Sequence, residues 1–519
     1  MAEMIEKPKA EKEGNENEVS LDKLLLEEVG QLGRYQWRIL ALSVLTGMFA
    51  AIAAVEYKFT TGRIPTRCLI PDCDVPESIE FQPSWILNAV PESGNSFDNC
   101  RRFSSVNATL HSDTCPASLF NKDNAVDCEE FLYENIDTVV YDYDLACDEW
   151  GRTLIGSVRT FGTLTALAIT GFISDRWGRR TALCITALNT AWIVMEVVGP
   201  KYRVAAGTTM NSCFSIGQIT VGLIAWAVPD WRKLTLTIFI PQFITIIYYW
   251  VMFESIRWYL SKERYDDAEK TLKRVAKING NQLSENSIEF LKLTAKKGKI
   301  QALLDKEAKK EDTWLIVLLF RYKRVLLRVC VSPIWWITTM FIYYGMSINS
   351  TNLSGNRYVN YIVVAAAEIP GYRTSFLLMG IVGRRPVLAG AFWVCAVCQI
   401  AYIFIPSDVY SVSLAVYLVG KFSIAMVMTY TTELYPTKYR HTLFAFSSMM
   451  GRIGSVVAPL TPAFGAAVWE EFPFVLFACF ALLSGALVLI TPETLGSKLP
   501  DSMEDAFNIG LKKGDPNRT

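Results

Sequence analysis

Three ionisable side chains stand out inside the long apolar stretches of this 519-residue sequence: Glu368, Arg373 and Arg452. A charge placed within an apolar span is costly and is usually there for function, so these residues are the first candidates for ligand chemistry. Arg452 lies in a face of small residues, Ser447, Gly451, Gly454, Ser455 and Ala458. Such a face lets helix backbones approach closely, or leaves room for a ligand beside the guanidinium. A carboxylate on a neighbouring span is the competing partner for Arg452. Glu368 and Arg373 flank Pro370, whose ring should disturb the helix and free backbone groups. Glu368 can then act as counter-ion to Arg452 or to a cationic ligand. Trp335, Trp336, Tyr343 and Tyr344 offer ring faces that stack on planar or quaternary-ammonium groups. Aromatics near span ends also commonly mark the membrane interface.

Other chemistry is poorly supplied. The two histidines, His111 and His441, stand in unrelated contexts, which argues against a histidine-based zinc site or acid–base enzyme. No GxxxxGK[ST] occurs, so nothing points to ATP as a driving cofactor. Lys plus Arg and Asp plus Glu both number 51, a neutral balance that disfavours a nucleic-acid partner. No cofactor and no metal is expected, and the sequence sets no oligomeric state.

The elements that must hold the charged candidates are apolar runs of bilayer-spanning length. In the first half they cover about 37–56, 154–173, 182–198, 204–228 and 234–253. In the second half they cover about 325–346, 358–381, 387–405, 409–430, 442–467 and 473–491. The expected class is an all-α polytopic membrane protein whose lipid-facing and inner surfaces are both apolar. Its order is a polar N-terminus, 1–36, with no basic-then-apolar leader, and a first bundle, 37–253. A charged linker follows at 254–312, where Ala268, Leu272, Val275 and Ala276 recur with helical spacing. A second bundle, 313–495, and a polar tail, 496–519, complete the chain. Basic clusters at Arg179-Arg180, Arg384-Arg385 and Lys438-Tyr439-Arg440 place their loops on the cytoplasmic side.

Between the first and second runs lies a polar segment, 57–148, that carries six of the twelve cysteines: Cys68, Cys73, Cys100, Cys115, Cys128 and Cys147. An even set in one polar stretch predicts a disulfide framework on the oxidising, outer face, with the pairing left open. The sequon at Asn107 in the same segment agrees with that side.

Together these pieces resemble the organic cation, anion and carnitine transporters of the major facilitator superfamily. The stretches that carry the resemblance are Leu26 to Gln36, the cysteine-bearing outer segment, Asp175-Arg-Trp-Gly-Arg-Arg180, Glu254-Ser-Ile-Arg257 onward, Glu433-Leu-Tyr-Pro-Thr437 and Pro492-Glu-Thr-Leu-Gly496. Sugar carriers share the Arg-rich and Pro-Glu-Thr elements, so the outer segment and the Glu433 motif weigh most. The resemblance implies two helical bundles that rock about a midplane site and carry small organic ions across a plasma membrane. Asp175, Arg179, Arg180, Glu254, Arg257, Glu433 and Arg440 then become gating candidates at the inner helix ends, or simply markers of topology. Arg452 falls where the family has a basic residue in its anion and carnitine branches, which leans the substrate toward anions or zwitterions. Tyr372 stands where anion carriers place a lysine, with Arg373 beside it.

The sequence departs from the family in three places. Arg179 and the segment Gly199 to Arg203 both read as cytoplasmic, yet one run lies between them, so about one span is expected to be missing. The tenth span, between Lys421 and Glu433, is about a turn short. Gly380-Ile381 replaces the acidic and basic pair of the second-half inner motif. A transport-inactive relative that acts as a membrane binding protein is therefore the alternative to a working carrier.

Overall fold

A computed structural model describes residues 28, 33–71, 73–74, 80–93, 96–106, 115–178, 180, 203–282, 284, 315–406, 409–427, 439–493 and 503–508. Seven helices among them are long and apolar enough to cross a bilayer. The principal helices are α1 (Arg34–Val55), α2 (Glu149–Trp177), α3 (Arg203–Ala227), α4 (Trp231–Phe239), α5 (Tyr265–Asn279), α6 (Lys323–Asn349), α7 (Arg357–Ala366), α8 (Glu368–Ile381), α9 (Arg384–Ile403), α10 (Tyr410–Val427), α11 (Arg440–Val457) and α12 (Phe472–Val488). The apolar run 182–198, the supposed site of the missing span, lies outside the described residues, as does 428–438 after the short tenth span.

Local sequence accounts for several boundaries. Asp230 caps α4 by accepting from the backbone of Arg232 at 2.9 Å. α4 passes into a 3-10 stretch, Ile240–Ile247, that contains Pro241, which cannot donate the next helical hydrogen bond. The span 357–381 breaks at Ala367, between α7 and α8, so that Glu368 opens α8 two residues after Ala366, the last residue of α7. Pro370 sits in that first turn, where a missing N–H is tolerated.

The chain packs as two compact units. The first gathers residues up to Val44 with Phe172–Gly207 and Ile246–Trp314. Its core is Tyr35, Ile39, Tyr248, Met252, Leu272 and Val275. The four linker positions with helical spacing, Ala268, Leu272, Val275 and Ala276, are the buried face of α5. Asn279 closes this unit by accepting from the Tyr35 backbone and donating to the Gln36 side chain, both at 2.9 Å.

The second unit holds Leu45–Gly171, Thr208–Thr245 and Leu315–Thr519. Its main core runs through α6, α9, α10 and α12, around Trp335, Ile342, Met346, Phe392, Tyr417 and Phe477. The small face of α11 serves close approach: Ser447 and Ser332 hydroxyls meet at 2.8 Å, and a Cβ at Gly454 would stand 2.2 Å from the Ile337 carbonyl. Trp393, Val397, Phe404 and Leu377 remain exposed, the pattern expected of side chains that face lipid.

The polar outer segment belongs to this second unit. Cys68 pairs with Cys128, Cys73 with Cys115 and Cys100 with Cys147, with Cα separations of 5.6, 5.7 and 5.8 Å. Three antiparallel two-stranded sheets join β1 (Thr66–Cys68) to β6 (Phe131–Tyr133), β2 (Glu92–Ser93) to β3 (Ser96–Phe97), and β4 (Arg101–Ser105) to β5 (Phe120–Asp127). Arg67 is fully buried and pinned by Asp74 at 2.6 and 2.8 Å and by the Glu80 carbonyl at 2.7 Å. A cavity of about 1120 Å³ opens between this segment and the ends of α6, α9 and α12. Asn107 lies outside the described residues.

Candidate functional site

A buried charged cluster of the second unit is built by α3, α6, α8 and α10. Glu368 and Lys421 are both wholly buried, and Lys421 Nζ stands 3.0 Å from Glu368 Oε1. The other carboxylate oxygen, Oε2, accepts from Ser215 at 2.6 Å, Tyr343 at 2.7 Å and Gln218 at 2.9 Å. Ser215 and Gln218 lie three apart on α3 and therefore share a face. Gln218 accepts in turn from the Tyr361 hydroxyl at 3.3 Å, and the Tyr372 hydroxyl reaches that of Tyr343 at 3.4 Å.

Lys421 donates to the Tyr343 carbonyl, 2.8 Å, and the Ser347 hydroxyl, 2.6 Å. The ion pair with Glu368 adds to these two hydrogen bonds, and the charge of Lys421 lies 3.6 Å from the centre of the Tyr343 ring. A buried ion pair gains little net stability, because desolvation opposes the Coulomb attraction. What it does is fix the relative positions of α8 and α10 and store two charges that a ligand or a conformational change can separate.

Of the residues singled out from sequence, Glu368, Tyr343 and Tyr372 meet in this cluster. Tyr344 packs edge-on against Tyr343 at 5.2 Å and interacts with the half-buried Arg452, which extends the cluster to α11. Glu368 is paired with Lys421, so it is not the counter-ion of Arg452. Arg373 is exposed and stands apart, and Trp336 packs against Phe444 at 5.8 Å. Sequence reasoning passed over Lys421, although it is the one charged residue of α10 and so carried the same signal as Arg452. Ser215, Gln218 and Tyr361 gave no signal, since uncharged polar residues are common in spans. Lys58, 4% exposed, was masked by its place at the end of the first run.

A second, partly buried pair joins α2 to the end of α1. Arg159 of α2 donates to Glu56 at 2.5 Å, and Thr235 of α4 donates to the same carboxylate at 3.0 Å. The Arg159 guanidinium also covers the Tyr57 ring at 5.5 Å.

Among the gating candidates, Glu254 forms a cradle within the first unit. It accepts from the Arg180 backbone at 3.1 Å and from the Ser255 backbone at 2.9 Å. Gly178 makes this possible: its φ is +101° and a Cβ would lie 2.2 Å from Glu254 Oε2. The Arg180 guanidinium stacks on Tyr249 at 4.3 Å. The second unit contains a cradle of the same design, where Glu493 accepts from the Arg384 and Arg385 backbones at 2.9 and 3.0 Å. Gly383 has φ +112° there, and a Cβ would approach Glu493 to 2.7 Å. At the second cradle the start of α9 presents free N–H groups to the carboxylate. Arg179 and Glu433 lie outside the described residues, as do the side chains of Asp175, Arg257 and Arg440.

The profile of the sugar (and other) transporter family matches residues 189–506. An organic cation transporter protein of Drosophila melanogaster is 27% identical over 535 residues, covering 94% of this chain and 95% of that relative. Organic cation/carnitine transporter 2 of Rattus norvegicus is 28% identical over 546 residues and covers 94% of both chains. The inward-open structure of the xylose transporter XylE from E. coli matches with a TM-score of 0.56 at 14% identity, over 90% of this chain and 98% of that one. At that identity the likeness to XylE speaks for the fold alone.

Proposed function

The chain belongs to the sugar (and other) transporter family, and from that premise we propose that it carries small organic ions across the plasma membrane by alternating access. The observation that carries the substrate class is the sealed charged cluster of α3, α6, α8 and α10. A sugar offers hydroxyls and needs hydrogen-bond partners; it gives no reason to keep Glu368, Lys421 and Arg452 inside the spans. An organic ion does. The relatives' printed names, organic cation transporter and organic cation/carnitine transporter, agree with that chemistry.

In this reading Glu368, Lys421, Arg452, Tyr343, Tyr344 and Tyr372 contact or orient substrate. Glu254, with Arg180, and Glu493, with Arg384 and Arg385, latch inner helix ends and release them as two bundles, 37–253 and 313–495, rock about the linker 254–312. The disulfide-bonded segment faces outward and carries a glycan at Asn107. Uptake of a labelled organic anion, a carnitine-type zwitterion and a quaternary amine into cells that express the full chain tests the reading. Accumulation of at least one above untransfected cells, saturable and lost on replacing Glu368, is the expected result. No uptake of any of them, with normal surface delivery, would overturn it in favour of a membrane binding protein.

A further inference from the structure

We propose that Lys58 receives the acidic end of the substrate, which makes this carrier selective for organic ions bearing a carboxylate or similar anionic group. The inference deepens the carrier reading and rests on it for the route by which an anion reaches a buried lysine. Lys58 stands in the single turn Tyr57–Thr60 that follows α1. Its Nζ has no hydrogen-bond partner among the described residues, and no ion pair reaches it there. The face of Tyr361 lies 5.2 Å away. A ring face compensates a buried ammonium in part, far less than an anion does.

The carboxylates around Lys58 are committed to other cations. Glu56, two residues back, is held by Arg159 and Thr235. Glu368 is held by Lys421, Ser215, Gln218 and Tyr343. Glu149, across from it on α2, is engaged by Arg152 and, at 3.5 Å, by Arg63. Lys58 is therefore a buried amine with no carboxylate of its own among the described residues, and both Lys421 and Glu368 act on it from the neighbouring cluster. A surplus cation in a low-dielectric enclosure attracts an anion strongly, because little solvent screens it.

The surroundings offer an acidic group donors and no competing carboxylate among the described residues. Lys58 borders a narrow recess whose lining includes Thr61, Thr153, Thr351, Asn352 and Arg152 and contains no carboxylate among the described residues. Arg152, Thr351, Asn352 and Pro462 also line the larger cavity beneath the outer segment. The recess thus adjoins the outer cavity on one side and, through Tyr361 and Gln218, the Glu368 cluster on the other. A carboxylate on Lys58 would gain a charge-assisted hydrogen bond, with hydroxyl and amide donors at hand for its second oxygen.

The test uses full-length protein, purified in detergent, with benzoate, its neutral isostere benzamide, and tetraethylammonium as probes. Benzoate should raise the unfolding temperature and benzamide should not. Lys58→Met, which buries no polar group, should lose the benzoate shift, and Lys58→Arg should keep it. In cells, Lys58→Gln should raise the KM for labelled benzoate roughly tenfold or more at unchanged surface abundance, as loss of a charge-assisted contact implies. Equal benzoate shifts in wild type and Lys58→Met would overturn the assignment, as would a wild type that treats benzoate and benzamide alike. Saturable tetraethylammonium uptake without any benzoate response would sink the Lys58 role and leave the carrier reading intact. Lys58-dependent benzoate binding without transport of any ion would do the reverse.

Discussion

Replacing Lys421 with Met tests whether the pair between α8 and α10 is one coupled unit. Glu368 Oε1 contacts Lys421 at 3.0 Å and has no hydrogen-bond partner among the described residues, so the substitution strips that oxygen bare while Oε2 keeps its three donors. At that distance and an effective dielectric near 20, the Coulomb term is about 5 kcal/mol. Breaking a buried pair by removing one partner costs roughly 3–5 kcal/mol, because the other charge is left uncompensated. Lys421→Met should lose about that much. Adding Glu368→Gln should restore most of it, since an amide still donates and accepts with Ser215, Gln218 and Tyr343, and no bare charge remains. The double variant should fall within about 2 kcal/mol of wild type, so with each single loss at roughly 3–5 kcal/mol the coupling energy is about 4 kcal/mol or more. Unfolding of the detergent-solubilised protein, for wild type, both single variants and the double variant, closes the cycle. Additive losses, with a coupling near zero, would refute the reasoning and reduce the pair to two independently solvated groups.

Further perturbations follow from the contacts in the structure. Arg159→Met should destabilise by about 3 kcal/mol or more, because Glu56 keeps Thr235 but loses its cation; restoration by Glu56→Gln checks the cause in the same unfolding assay. Gly454→Ala should cost roughly 1–3 kcal/mol and lower surface abundance, since its Cβ would meet the Ile337 carbonyl at 2.2 Å and force α6 and α11 apart. Gly383→Ala should cost roughly 1–3 kcal/mol and Gly280→Ala about 1 kcal/mol: both have positive φ, +112° and +83°, but only at Gly383 would the new Cβ meet a neighbour, Glu493 at 2.7 Å. Cys100→Ser with Cys147→Ser removes a loop of 47 residues, for which the chain-entropy relation gives about 4 kcal/mol, read out as faster proteolysis of the outer segment on intact cells.

The spans were legible because hydrocarbon imposes one requirement on every crossing segment: its backbone must satisfy itself as a helix, and its side chains must be apolar. The resemblance to organic-ion carriers was legible for a different reason, since it rests on short motifs at helix ends, where geometry tolerates few residues. The cradle at Gly178 and Glu254 shows why. A positive φ and a carboxylate within van der Waals reach leave glycine as the residue that fits. The same logic recurs at Gly383 and Glu493, which explains why the second-half motif can lose its acidic and basic pair at Gly380-Ile381 and still hold its helix start. Disulfide partners were not legible, because six cysteines in one segment allow many pairings and the choice is made by strands far apart in the chain, as where the pairing of β1 with β6 accompanies the Cys68–Cys128 bond across 60 residues. The site was legible in part. Glu368 announced itself as a charge among apolar residues, but its partner is set by which helices touch, and that places Lys421, not Arg452, against it.

The arrangement of charge also constrains how a carrier of this kind can be driven. A ligand shifts a conformational equilibrium only by its differential affinity for the two states, so a site that binds equally in both moves nothing. In the Glu368 cluster all four contacts of Glu368 come from other helices, α3, α6 and α10, and those of Lys421 come from α6 and α8, which makes the cluster sensitive to small relative shifts of those helices. Lys58 and Arg452 lack a carboxylate partner among the described residues and lie within electrostatic reach of that cluster, Lys58 directly and Arg452 through Tyr344. An anion that neutralises either cation weakens its repulsion of Lys421 and thereby strengthens the state in which Lys421 and Glu368 remain paired. A cationic ligand does the opposite by competing for Glu368. Under the proposed carrier reading the two substrate classes push the same switch in opposite directions, and two basic side chains without a carboxylate partner among the described residues favour the first.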